Sequence, residues 1–143
     1  MNPQIFSWTV GALLLLLGIC GFIPPLTPID TDALRVSAGV GGPQLFGIFP
    51  VSNLLSALHA ALGIWGLLGG SRLIFSILYA RIAGFVFLAL LVMGFIPGAD
   101  NPFGDAPLYG NNLLLHGVLA VLFLLIGWLY RRPRKRIEQP AQF

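Results

Sequence analysis

The sequence predicts an all-α, polytopic membrane protein whose four transmembrane helices form two parallel-repeat helical hairpins. Three observations predict it. Hydrophobic residues make up 57% of the 143 and charged residues 9%, with a mean hydropathy of +0.88, whereas about a quarter of the residues of an ordinary soluble domain are charged. Four apolar runs are separated by segments rich in Pro and Gly. The chain also repeats itself: Leu58 to Leu68, LHAALGIWGLL, returns as Leu115 to Leu125, LHGVLAVLFLL, and Gly11 and Gly84 are each followed at one interval by Gly-Phe-Ile-Pro, at Gly21 to Pro24 and Gly94 to Pro97.

One transmembrane domain is expected over residues 1–130, with repeat one at 5–70, repeat two at 72–130 and a basic cytoplasmic tail at 131–143. Ile5 to Ile23 is an uncharged run of about 19 residues, close to what a bilayer core demands. Pro24-Pro25 stops it, and Trp8 suits the head-group boundary. LGIC has the outline of a lipoprotein cleavage box, but Ile19 is not small and no Lys or Arg precedes the run. The segment is therefore read as a retained helix rather than a cleaved signal. Cys20, the only cysteine, has no internal disulfide partner and aligns with Met93 in the repeat.

Leu26 to Phe49 reads as a long polar loop, in which Asp30-Thr31-Asp32 has too few carboxylates for a calcium loop and is expected to be a solvated turn. Pro50 fits the first turn of a helix, with Val51 to Gly70 as the second crossing and Gly69-Gly70-Ser71-Arg72 as a tight reversal. The third helix is expected to start in the interface near Arg72, because Arg72, Ser76 and Tyr79 share one face and Leu73 and Ile77 another. It then crosses from Arg81 to Ile96. Pro97 to Pro107, with Asp100 and Asp105, is the second loop, and the fourth crossing runs to Tyr130.

Arg72, Arg81 and the tail lie on one side of these crossings and only Arg35 on the other. By the positive-inside rule both termini are cytoplasmic and both acidic loops outside, in a bacterial inner or thylakoid-type membrane. Hairpins that enter and leave alike are parallel repeats about an axis along the membrane normal, not inverted ones. The formal charge of +3 and pI near 9.6 come mainly from the tail, Arg131 to Arg136. A basic block directly after an apolar helix sets topology or meets anionic lipid. No aromatic or RNA-binding pattern accompanies it, so nucleic acid is not an expected partner.

The only two histidines, His59 and His116, occupy equivalent places in the repeat. From His59, the positions four, seven and eleven residues on are Gly63, Gly66 and Gly70; from His116 they are Ala120, Phe123 and Gly127. These lie within roughly 40° of one line on a helix. With Gly11 and Gly84 they are the expected helix-packing positions, since small residues let helices approach closely in lipid. Imidazole inside a bilayer is costly unless partnered, which makes each histidine a site candidate. Three uses are open. The pair can clasp the bundle by hydrogen bonds to each other, to Asn53, Asn111 or Asn112, or to free carbonyls. It can ligate haem b or chlorophyll, with Ser56 and Asn112 orienting the rings. It can pass ions, although no acidic residue lies inside an apolar run. Nucleophilic catalysis is not expected, because Ser52, Ser56 and the histidines have no acidic group inside the membrane to orient them.

The doubled pattern LFGIFPVSNLLSALHAALGIWGLL followed by PLYGNNLLLHGVLAVLFLL resembles the bacterial four-helix membrane family catalogued as domain of unknown function 4383, over nearly the whole chain up to Tyr130. The family's first box maps to Phe46, Gly47, Pro50, Asn53, Leu58 and His59, and its second to Asn111, Asn112, Leu115 and His116. The resemblance implies a topology and no activity. The expected function is that of a non-catalytic accessory or structural subunit, surrounded by membrane lipids and packed against a larger membrane complex or its own copies. Small stripes on several faces exceed what one bundle can use internally. The alternatives are a small electron-transfer or pigment protein and a small channel or carrier.

Overall fold

Burial of backbone polar groups in an apolar chain is tolerable only where those groups bond internally, and helices do this within a single segment. The computed structural model describes residues 2–29, 42–102 and 106–130. It contains four long helices: α1 Pro3–Cys20, α2 Asn53–Gly69, α3 Leu73–Gly94 and α4 Asn111–Leu129. Helices α1, α3 and α4 are long and apolar enough to cross a membrane, whereas α2, at 17 residues, is shorter. Three candidate spans make this a membrane protein. The Asp30-Thr31-Asp32 turn, Arg35, Asp105 and the basic tail lie outside the described residues.

Local chemistry explains where the helices begin. Asn2 Oδ1 accepts from Gln4 N at 2.9 Å and Pro3 takes the first helical position, so α1 starts two residues before the expected Ile5. Pro50 does not start α2. It lies in a two-residue strand, and Ser52 caps the helix through Oγ, which accepts from Leu55 N at 3.1 Å. A capped Ser satisfies an orphan donor that Pro at the first turn leaves open.

The first connection contains β structure. Strand β1, Gln44–Leu45, pairs antiparallel with β2, Phe49–Pro50. The turn between them closes with Ile48 N donating to Leu45 O at 3.0 Å, and its two central residues, Phe46 (φ 55) and Gly47 (φ 71), both have positive φ. That is the primed turn whose twist matches a hairpin. This strap lies at the end of the bundle where α2 and α4 begin. Asn111 Nδ2 donates to Ile48 O at 3.0 Å, and Asn112 Nδ2 donates to both Pro50 O and Pro107 O.

Helix α1 packs along α2 and α3 along α4, more extensively than either pair packs on the other. In the first pair Trp8 meets Gly70, Gly11 meets Gly66 and Leu67, Gly18 meets Ala60 and Gly21 meets Ser56. In the second Arg81 meets Gly127, Gly84 meets Leu124, Leu91 meets Gly117 and Gly94 meets Leu113. Between the pairs the core is aromatic. Phe123 stands edge-on to Phe6 (centroids 5.0 Å) and to Tyr79 (5.3 Å), and lies 5.6 Å from Phe87.

The start of α3 differs from the interfacial segment expected. The helix is continuous from Leu73, and its polar residues turn inward: Ser76 and Tyr79 are fully buried while Ile74, Phe75 and Leu78 are exposed. Ser76 Oγ donates at 3.1 Å to Gly69 O, a carbonyl at the end of α2 that otherwise accepts only a long 3.4 Å bond from Arg72 N. Tyr79 fits against Gly66, where its phenolic oxygen lies in the space a side chain there would need. Capping a carbonyl and filling a glycine notch outweigh exposing two weakly polar side chains.

Candidate functional site

The two histidines converge. His59 on α2 is 6% exposed and His116 on α4 is 0% exposed. Their rings lie 5.8 Å apart, centroid to centroid, at an interplanar angle of 22°. Phe87 of α3 packs against both, at 6.0 Å and 5.9 Å. Helices α2 and α4 start at the same end and reach the same depth after about one and a half turns, which is how the sequence spacing places the rings side by side.

His59 Nδ1 is 2.9 Å from Leu55 O. A carbonyl only accepts, so this nitrogen carries the proton and Nε2 is left as a lone pair. Among the described residues, no group bonds His59 Nε2, either ring nitrogen of His116, or Ser56 Oγ. Ser56 is buried one turn before His59, against Gly21 at the end of α1. A cavity of about 20 Å³ lies beside the pair, lined by Ser56, His59 and Asn112 with Leu17 and Leu115, and roofed by Leu45, Phe49 and Val51 of the strap.

The expected partners of the histidines are differently employed. Asn112 is buried, but its amide is committed to the strap and second-loop carbonyls; Asn111 and Asn53 are exposed. Of the small residues, Gly11, Gly63, Gly66, Gly70, Gly84 and Gly127 all abut a neighbouring helix, and Ala120 is buried. A Cβ on Gly63 would fall on the backbone nitrogen of Leu15. The small stripes are thus used inside the bundle. Sequence reading missed Phe87, Tyr79 and Ser7. The last two are fully buried, with hydroxyls that no protein group bonds. The signal was available for Tyr79, since the repeat aligns it with Phe6, another core aromatic. Outside the helices, burial and then the Asp100 charge push the Tyr109 phenol above its ordinary pKa.

Among the described residues, the space beside this pair is too small for haem b or chlorophyll. Tetrapyrrole-sized ligands need pockets of about 300–1,000 Å³, while the space beside His59 is about 20 Å³. Phe87 closes off both rings, and neither is exposed enough to ligate a macrocycle lying outside the bundle. Among the described residues, no three His, Cys, Asp or Glu side chains come together to hold a metal ion.

A family model described as a domain of unknown function, DUF4383, matches residues 4–129. The chain belongs to this family. The match spans all four helices of this DUF4383 protein, so the histidine pair and the strap lie inside the family's domain. Searches of curated proteins and of solved structures returned no match.

Proposed function

We propose that this DUF4383 protein crosses the membrane four times as two parallel hairpins, and that it serves without catalysis of its own as an accessory subunit docked along the outer seam of α3 and α4. The parallel repeat rests on matched contacts. A shift of 73 residues carries α1 onto α3, and one of 57 carries α2 onto α4. Under these shifts Trp8–Gly70 becomes Arg81–Gly127, Gly11–Leu67 becomes Gly84–Leu124, Gly18–Ala60 becomes Leu91–Gly117 and Gly21–Ser56 becomes Gly94–Leu113. The histidines become each other.

The observation that carries the docking reading is where this symmetry fails. Gly18 and Ala60 bring α1 and α2 so close that a Cβ on Gly18 would strike the Ala60 backbone, whereas a Cβ on Gly117 would meet the Leu91 methyls only at ordinary van der Waals distance. An apolar groove of about 640 Å³ results, lined by Leu91, Phe95, Leu114, Gly117, Val118 and Val121. It is followed along the seam by a second groove of about 340 Å³ between Phe85, Leu124, Leu125 and Trp128. Val118, Val121 and Leu125 recur at helical spacing, so the seam is the shape of a helix ridge. Gly117 in its lining suits close approach by a partner's transmembrane helix. This support replaces the surplus of small faces expected from sequence, since those faces are occupied internally.

A photo-crosslinking amino acid at Val121, irradiated in native membranes, is expected to give one discrete protein adduct, and the same probe at its counterpart Ile64 none. Adducts of lipid alone, or of a second copy of the chain, would overturn the accessory-subunit reading.

A further inference from the structure

We infer that the space between Ser56, His59 and the strap is a binding site for one small, uncharged hydrogen-bonding molecule of water's size, reached from the strap end of the bundle. The size follows from the cavity: about 20 Å³ exceeds the roughly 10–15 Å³ that one water requires and excludes anything much larger. The polarity follows from its lining. Ser56 and His59 are both more than nine-tenths buried and both line it, and Ser56 Oγ and His59 Nε2 have no protein partner. Buried polar atoms in native proteins are paired with protein groups or with ordered water.

The donor set dictates what binds. His59 Nδ1–H is committed to Leu55 O, so Nε2 can only accept and the occupant must donate to it. Asn112 Nδ2 is spent on Pro50 O and Pro107 O, which leaves the Ser56 hydroxyl as the side-chain donor for the occupant's lone pair. Water offers two donors and two acceptors and meets both demands. An ion does not fit, because no charged side chain lines the space to balance it away from bulk solvent. Leu45, Phe49 and Val51 roof the site at the strap end, whereas Phe87 and Phe123, both 0% exposed, close the bundle beyond the rings. Access is therefore one-sided, and the site ends at the histidine pair instead of continuing through the membrane.

The test uses the full chain, with ¹⁵N-labelled histidine and tryptophan, in lipid bilayers, and water itself as the probe in water-edited solid-state NMR. His59 is expected to show the Nδ1–H tautomer and to receive magnetisation from water severalfold faster than the indole of Trp65, which serves as a core reference. Ser56→Val, which removes the donor, and Val51→Leu, which fills the space from the strap without touching a polar atom, should each cut that transfer severalfold. Val51→Leu keeps the test decisive if Ser56→Val does not fold. Transfer to His59 no faster than to Trp65, or unchanged in a folded Val51→Leu protein, would overturn the site.

Discussion

At the scale of single residues, the same amino acid type does opposite work according to what faces it. Gly63 stands where a Cβ would strike the backbone of Leu15, while a Cβ on Gly117 would meet only the Leu91 methyls at 3.6 and 3.7 Å. In an exposed helix, Gly→Ala is favourable by about 1 kcal/mol through backbone entropy. Overpacking against a rigid backbone costs about 1–3 kcal/mol and reverses that sign. Gly63→Ala is therefore expected to lower the thermal unfolding midpoint in detergent, and Gly117→Ala to leave it unchanged or raise it. Equal shifts for the two variants would contradict the close α1–α2 approach. The histidines show the same dependence on surroundings: each follows a leucine, yet His59 has its tautomer set by Leu55 O, whereas among the described residues nothing bonds either nitrogen of His116.

At the scale of elements, the strap is held to the bundle through Asn112. Its amide bridges Pro50 O in the first connection and Pro107 O in the second, joining the two hairpins at the end where the histidines lie. Asn112→Ala strips both carbonyls of their donor. Leaving buried groups unpaired costs about 1–3 kcal/mol each, so the variant should unfold at a lower temperature and its α1–α2 connection should be cut faster in limited proteolysis. Asn111→Ala, which loses one bond at an exposed position, should change both readouts much less. The other end is tied differently, by Arg81 Nε donating to Gly127 O at 2.9 Å, with the guanidinium 5.1 Å above the Trp128 ring. That pairing sits where the first hairpin has Trp8 against Gly70, so one aromatic contact is replaced by a cation held on another aromatic.

At the scale of the whole molecule, the parallel repeat makes a directional prediction. After replacement of Cys20, single cysteines placed at Asn2 and at Tyr130 should react with a membrane-impermeant maleimide from the same side of intact vesicles, and one at Gly47 from the opposite side. A chain in which Gly47 and Tyr130 label together would break the four-crossing reading. Much of this organisation was legible beforehand. The four helices and their order can be read because apolar composition and Pro- and Gly-rich breaks act locally, within each segment. The inward turn of Ser76 and Tyr79 was not legible, because it depends on the Gly69 carbonyl and a notch at Gly66, both on another helix. Nor was the strap. Its Phe46-Gly47 turn lacks the usual Asn-Gly or Asp-Gly signature, and the asparagines that pin it begin another helix, more than 60 residues away.

The amino-acid sequence alone determined that this chain belongs in a membrane and where its helices lie. Those properties follow from hydropathy and period, which each segment carries by itself. The tertiary structure alone decided what the polar groups do: Asn112 serves the strap instead of a histidine, the glycines are spent between helices, and a cavity of about 20 Å³ lies beside His59. A hydrogen bond or a cavity is a relation between segments brought together by folding, and no single segment encodes its partner's position.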